Sequence, residues 1–275
     1  MRQMVHAKPK PFLDPARRQW QFETYAWLLR GCGGYQKFLD TDLVLPIPEH
    51  FPDRGMKGHA AATALFRRVR DHAGMADWPC IAEPGSASSD KTEPGSASSD
   101  KTEPGSASSD KTEPSSASTD NAALEFTSDR IRIIRYSAAE QDPAMLVAHF
   151  AHELARFLVE SFEETPPGGP MLREPAIDLA TVFMGFGVFM ANSAVRIAPW
   201  DLNEGELVHA LALFCHLRKV PEDAVDPHLN AHVRKYLRLA ARDLGRFECD
   251  FRKLRGVFPI APADAGECTL PTRRG

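Results

Sequence analysis

Apolar residues recur every three or four positions over much of this chain, the spacing that places them on one face of a helix. The segment 59–72 is typical, with apolar side chains at Ala62, Leu65, Phe66 and Val69. Other segments are apolar on nearly every face and long enough for a buried helix. The sequence therefore predicts helices over 14–29, 59–72, 142–162, 174–195, 206–219 and 227–247.

Shorter apolar runs in the first half of the chain predict strands. The run 42–48 contains two prolines, which favour an edge strand, and 78–81 is a second candidate. The runs 123–126 and 131–136 are separated by 127–129 (Thr-Ser-Asp), a sequence that suits a hairpin turn. We therefore expect an α+β protein, mainly α, with a small sheet in the N-terminal half.

A ten-residue unit repeats in tandem among the predicted strands. Its sequence, Glu-Pro-Gly-Ser-Ala-Ser-Ser-Asp-Lys-Thr, occupies 83–92, 93–102 and 103–112, and a degenerate copy follows at 113–120. The unit has no apolar anchor beyond alanine, so it cannot bury enough surface to offset the entropy of ordering. We expect 83–120 to be a disordered insert, in a β-turn position of the sheet, that interrupts a single domain.

The C-terminal tail and one uncharged internal segment lie outside these regular patterns. The tail 255–275 is rich in proline and glycine and is expected to be irregular. The segment 179–195 holds 17 residues without a charge, the lower limit for crossing a membrane. Two glycines interrupt this segment, and Asp178 and Arg196 bracket it. A central core helix is the simpler interpretation, and a membrane-associated protein is the weaker one.

Charge and cysteine content indicate which partners and which cellular compartment to expect. The formal net charge is -4, and the insert more than accounts for it with eight acids against three lysines. The near-neutral remainder argues against a nucleic-acid or anionic membrane partner. The five cysteines are widely spaced without a CxxC pair, and the N-terminus has no apolar signal region. We therefore expect a cytoplasmic protein with free thiols.

One helix carries a motif with chemical meaning, HELAR over 152–156. In the HExxH motif two histidines at i and i+4 bind zinc from one helix face, and the glutamate activates the bound water as general base. A third ligand, commonly a carboxylate, comes from elsewhere in the fold. Here His152 and Glu153 fit the first two positions. Asp178, or Glu174 one turn earlier, fits the third ligand.

Four segments of this chain, one of which contains the HELAR motif, together resemble uncharacterised bacterial proteins of the zincin type. Zincins are the HExxH metallopeptidases, and the motif is degenerate here. The resemblance covers most of the chain outside the repeats and the tail. It implies a zincin-like helical core in which the motif helix and the following helix hold the site. The segments that carry the resemblance are 43–53, 146–158, 174–192 and 209–214.

Arg156 is the departure from that pattern. Arginine stays protonated and has no lone pair for a metal, so His152 and one carboxylate fall short of the three ligands of a catalytic zinc site. One repair uses His149, which lies within about 60° of His152 and Arg156 around the helix, as a replacement ligand. In the other, Arg156 replaces the charge of the metal by pairing with Asp178 or Glu153. We favour the second, because it explains Arg156 itself.

Two hypotheses about function follow. The first is a non-catalytic descendant of a metallopeptidase-like protein, without a cofactor, that acts as a folded binding or scaffold protein. The second is a zinc-dependent hydrolase, a peptidase, with His149, His152 and Asp178 as zinc ligands and Glu153 as general base. The sequence leaves open which holds, and therefore whether the chain is an enzyme. The sequence does not identify a partner, and of the partner classes considered only another protein is not argued against.

Overall fold

The computed structural model describes residues 11–52, 56–85, 131–137, 140, 142–194 and 200–260. Within these ranges the chain is mainly helical and contains one two-stranded parallel sheet. The expected α+β composition, mainly α with a small sheet, is therefore confirmed. The first half contains α1 (Pro15–Gly31), α2 (Gly34–Phe38), α3 (Gly58–His72), β1 (Cys80–Pro84) and β2 (Arg132–Tyr136). The second half contains α4 (Pro143–Glu160), α5 (Arg173–Thr181), α6 (Gly187–Ser193), α7 (Glu204–Arg218), α8 (Glu222–Val225), α9 (Ala231–Leu244) and α10 (Glu248–Arg255).

Polar side chains at the helix starts explain why these helices begin where they do. Asp14 and Asp142 each precede a proline at the first helical position and accept hydrogen bonds from backbone N–H groups of the first turn. Asn203 and Glu206 form a reciprocal capping box at the start of α7. The predicted starts of the helices at 14, 59 and 142 agree with the structure to within one residue.

The core lies where α4 to α7 pack together. The sheet and α3 cover α4 on one side, and α9 covers α7. The apolar helical stretch Pro170–Ser193 is long and apolar enough to cross a membrane by length and composition, but 94% of its most apolar window is buried inside the protein. The buried position of this stretch therefore agrees with the expected core helix over 179–195.

The predicted continuous helix over 174–195 is wrong in one respect. α5 ends at Thr181, a π-helical turn covers Val182–Phe186, and α6 begins at Gly187. Within that turn Gly185 has a φ of 99°, a value that favours glycine. A Cβ on Gly185 would lie 2.0 Å from the carbonyl oxygen of Asp42. The close crossing of another chain segment therefore breaks the helix.

That crossing segment is 42–48, which is not the predicted edge strand. It makes a single backbone hydrogen bond to the broken helix, from Val44 N to Gly185 O at 2.9 Å. The bond at Leu45 N instead goes to the imidazole of His50, at 2.8 Å. The prolines at 46 and 48 lack N–H donors, so the segment cannot extend a ladder.

The small sheet also differs from the expectation. β1 and β2 pair in parallel, with Cys80 opposite Arg132 and Pro84 opposite Tyr136. A parallel pair needs a crossover connection, so the insert does not occupy a β-turn. The first two residues of the repeat, Glu83 and Pro84, belong to β1.

The last predicted helix, 227–247, is shorter than expected. α9 starts at Ala231, after a single 3-10 turn at Asp226–His228, and ends at Leu244. The sequence prediction also missed the short helices α2, α8 and α10. The predicted strand 123–126, its turn at 127–129, the repeats from 86 to 120 and the tail from 261 lie outside the described residues.

Candidate functional site

The site predicted from the motif lies between two neighbouring helices. α4 and α5 pack against each other, and each exposes polar side chains to the other at one end of their contact. α4 carries four of the predicted residues and α5 carries two. These residues are His149, His152, Glu153 and Arg156 on α4, and Glu174 and Asp178 on α5.

His152 and Asp178 form the buried part of the site. Their residues are 6% and 0% exposed. The Nε2 atom of His152 lies 3.1 Å from Oδ1 of Asp178, but that oxygen receives no hydrogen bond of good geometry. The contact is therefore an ion pair, off the line that a strong N–H···O bond needs.

The other oxygen of Asp178 is held by the backbone after α6. Oδ2 accepts hydrogen bonds from the backbone N–H groups of Asp201, at 2.7 Å, and Leu202, at 2.8 Å. The indole of Trp200 packs beside the His152 ring, with centroids 4.9 Å apart, and donates to the hydroxyl of Ser193. Residues 200–202 thus fix the carboxylate and shield the imidazole from water.

Arg156 forms the outer part of the site. Its guanidinium pairs with both oxygens of Glu174, through NH1 to Oε1 at 2.9 Å and NH2 to Oε2 at 2.8 Å. Its Nε lies 3.7 Å from Oε1 of Glu153. Such a two-point contact is the geometry in which arginine binds carboxylates most strongly. The expected Arg-carboxylate pairing is present, with Glu174 as the main partner in place of Asp178.

The charges within this cluster depend on one another. Burial would lower the pKa of His152, but the carboxylates of Asp178 and Glu153 outweigh it and raise this pKa to about 9. Burial would raise the pKa of Glu153, but His152, His149 and Arg156 lower it overall. At neutral pH His152 is therefore positively charged and Glu153 negatively charged.

His149 stands apart from the pair that it was expected to join. Its Nε2 lies 2.8 Å from the carbonyl oxygen of Arg135 on β2. A carbonyl oxygen only accepts, so this nitrogen carries the proton and has no lone pair to offer. Its Nδ1 keeps a lone pair, but within the described residues no three His, Cys, Asp or Glu side chains are grouped to hold a metal. The use of His149 as a zinc ligand stays a prediction.

The residues of this cluster that could bind zinc supply only two ligands. Nε2 of His152 and Oδ1 of Asp178 are 3.1 Å apart, near the roughly 3.3 Å expected for two ligands of one tetrahedral zinc ion. Arg156 has no lone pair, and it holds both oxygens of Glu174. Two protein ligands are one fewer than a catalytic zinc site uses, so these residues do not fit the metal.

Sequence reasoning missed residues 200–202 entirely. Trp200, Asp201 and Leu202 all contact the pair of His152 and Asp178, yet nothing in their sequence pattern signals it. Burial and the charges of Asp178 and Glu174 raise the pKa of Asp201. Only the return of the chain to α5 places these residues at the site.

Comparison of the chain with models of protein families, with curated proteins and with solved structures finds no match. The resemblance to zincins therefore rests only on the segments 43–53, 146–158, 174–192 and 209–214 of the sequence. What the site can do follows from the chemistry of its side chains.

Proposed function

We propose that this chain is a non-catalytic, zincin-like protein in which an arginine and a proton have replaced the metal. It acts as a folded binding or scaffold protein and not as a hydrolase. The observation that carries the proposal is the two-point pairing of Arg156 with Glu174. Arg156 occupies the position at which the HExxH pattern has its second histidine.

Charge balance supports this replacement. The cluster contains three carboxylates, on Glu153, Glu174 and Asp178. A zinc ion would bring two positive charges to them. Arg156 and the proton on His152, whose pKa is about 9, bring the same two charges. The three carboxylates can therefore stay ionised without a metal, although Asp178 is buried.

The state of Glu153 argues in the same direction. A general base works best with a pKa near the operating pH. The pKa of Glu153 is lowered, and its Oε1 lies 3.5 Å from Nδ1 of His152 and 3.7 Å from Nε of Arg156. A carboxylate held by two cations is a weak base, so Glu153 acts here as a counter-ion.

The direct test is the zinc content of the purified full-length chain. We expect far less than one zinc per chain, and we expect Arg156→His to gain a zinc ion because it supplies the missing ligand. Because zinc must displace the proton from His152, the affinity of this variant should rise with pH. The matched control is Arg242→His on α9, which should gain none.

The alternative, a zinc-dependent hydrolase, predicts the opposite result. One zinc per wild-type chain, lost in His152→Ala and in Asp178→Ala, would overturn the proposal. Zinc that is also lost in His149→Ala would point to the shifted ligand set. Measurement of peptidase activity with and without added zinc would then decide whether Glu153 acts as a base.

A further inference from the structure

A groove on the exposed side of α3 has no role in the Arg156 cluster. It is an open groove with a volume of about 680 Å³. Its lining includes Met56, His59, Thr63 and Arg67. Met56 at the edge of the groove is 44% exposed.

The lining of this groove carries one net positive charge. It contains Arg67 and Arg68 against one acid, Asp71, and Lys57 follows the lining residue Met56 in the sequence. Lys57 and Arg67 are exposed, and neither makes an ion pair within the described part of the chain. An occupant of this groove should therefore carry negative charge.

The acidic repeats leave the described fold beside this groove. Gly85 N donates to the carbonyl oxygen of Tyr136 at 2.9 Å, at the end of the sheet. The hydroxyl of Tyr136 lies 2.9 Å from Nδ1 of His59, and the two rings stack. His59 in turn lines the groove. Two hydrogen bonds thus connect the start of the repeats to the groove.

The chain length suits this path. The first acids after Gly85 are Asp90 and Glu93, five and eight residues further along. Extended chain spans at most about 3.3–3.6 Å per residue, so these acids can reach roughly 17–28 Å. From His59 to Arg67, eight residues further along α3, the helix rises by about 12 Å, which is shorter than either reach.

We propose that the acidic repeat segment of this same chain, beginning at Ser86, docks in the α3 groove. Carboxylates of Asp90 and Glu93 would pair with Arg67 and Lys57, and the neighbouring Pro94 would cover Met56. The later copies place an identical acid spacing at 100–103 and 110–113, which raises the local concentration of the docking sequence. A second basic surface lies on α9, the helix that packs on α7. No hydrogen bond among the described residues connects that surface to Gly85.

Zero-length carbodiimide cross-linking of the full-length chain tests this docking, since it joins a lysine only to a carboxylate in contact with it. We expect Lys57 to cross-link to Asp90, Glu93 or their equivalents in later copies, several-fold more often than Lys235 on α9. Arg67→Glu should reduce these products about fivefold, the scale of a lost exposed ion pair. Arg242→Glu, an equal change on α9, should leave them unchanged. Raising NaCl to 0.5 M should also reduce them, because salt screens exposed charges.

Equal cross-linking of Lys57 and Lys235 to the repeats, or equal effects of the two substitutions, would overturn the proposal. A second measurement removes the dependence on cross-linking yield. A labelled synthetic peptide of residues 86–105 is titrated into a variant that lacks 86–120, and its fluorescence anisotropy is followed. Binding that Arg67→Glu weakens and Arg242→Glu does not is the expected result, and no binding would contradict the docking. Neither measurement depends on the zinc content of the chain.

Discussion

A single side chain, Arg156, decides how the motif residues of this protein are used. Its guanidinium engages Glu174 at two points and lies near Glu153. His152 pairs with Asp178 through Nε2 and lies near Glu153 through Nδ1. Breaking one member of such a network leaves an uncompensated charge, which is costly where the partner is buried. The exposed half of the network, at Glu174, contributes less because water screens it.

The buried half of the network makes stability depend on pH. The pKa of His152 is about 9 in the folded protein, against an ordinary value near 6.5. Because the folded pKa is raised, the stabilisation is fully present below about pH 6.5 and is lost as pH rises through about 9. We expect His152→Gln to remove on the order of 3 kcal/mol of this pH-dependent stability.

Urea denaturation from pH 6 to pH 10 measures this effect. The wild-type free energy of unfolding should fall over that range more steeply than that of His152→Gln. His232→Gln serves as the control, because His232 pairs with Glu204 while its side chain is 45% exposed. Parallel curves for wild type and His152→Gln would contradict the ion pair.

At the scale of elements, the break between α5 and α6 holds the second helix of the site in place. The segment through Asp42 and Val44 crosses the π-helical turn at Gly185, and Phe51 further along packs against Phe189 of α6. Asp178 lies on α5, the helix that ends at this break, and it accepts a hydrogen bond from Asp201 N. The helix that carries Asp178 and Glu174 is therefore packed on both sides of the break.

Gly185→Ala tests that arrangement. The added Cβ would lie 2.0 Å from the Asp42 carbonyl oxygen, at a φ of 99° that alanine rarely adopts. We expect the free energy of unfolding to fall by about 3 kcal/mol or more, since both strain and the lost Val44 hydrogen bond contribute. Chemical denaturation gives this value.

Gly245→Ala is the matched control for Gly185→Ala. Its φ is -56°, and the nearest atom to an added Cβ is 3.6 Å away. Its unfolding free energy should change by less than about 1 kcal/mol. Equal effects of the two substitutions would show that the crossing at Gly185 is not a constraint.

At the scale of the whole molecule, the repeats enter and leave the fold through the ends of two adjacent parallel strands. β1 and β2 stay paired over five residues each, and Arg132 of β2 lies over the Phe157 ring of α4 with its guanidinium 4.1 Å from the ring centre. The strands are thus fixed by the helical core and by each other. The intervening chain need not help to hold them.

Deletion of 93–112, two whole repeats, tests whether the insert supports the fold. The cost of closing a flexible loop depends weakly on its length, so the free energy of unfolding should change by less than about 1 kcal/mol. The docking contacts proposed for the α3 groove are exposed and add little to stability. A variant with the same 20 residues replaced by a Gly/Ser sequence controls for length. A loss of several kcal/mol in the deletion alone would contradict a single domain with a tolerated insert.

The sequence by itself determined most of the longer helices, and it identified His152, Glu153 and Arg156 on one helix with Glu174 and Asp178 on the next as members of the candidate site. Those predictions depend on local patterns: the spacing of apolar residues, the caps at Asp14 and Asp142, and the i, i+4 geometry that places His152 and Arg156 on one face. It also predicted that Arg156 would pair with a carboxylate, because its charge and its lack of a lone pair are properties of the residue alone.

Only the tertiary structure decided which carboxylate Arg156 pairs with, where the apolar helix breaks, and that Trp200 and Asp201 belong to the site. Each of these depends on segments far apart in the chain, such as Asp42 against Gly185 and Asp201 against Asp178. The parallel pairing of β1 with β2 is of the same kind, because a strand does not encode its partner. Local sequence sets what a segment can become, and long-range packing sets what it contacts.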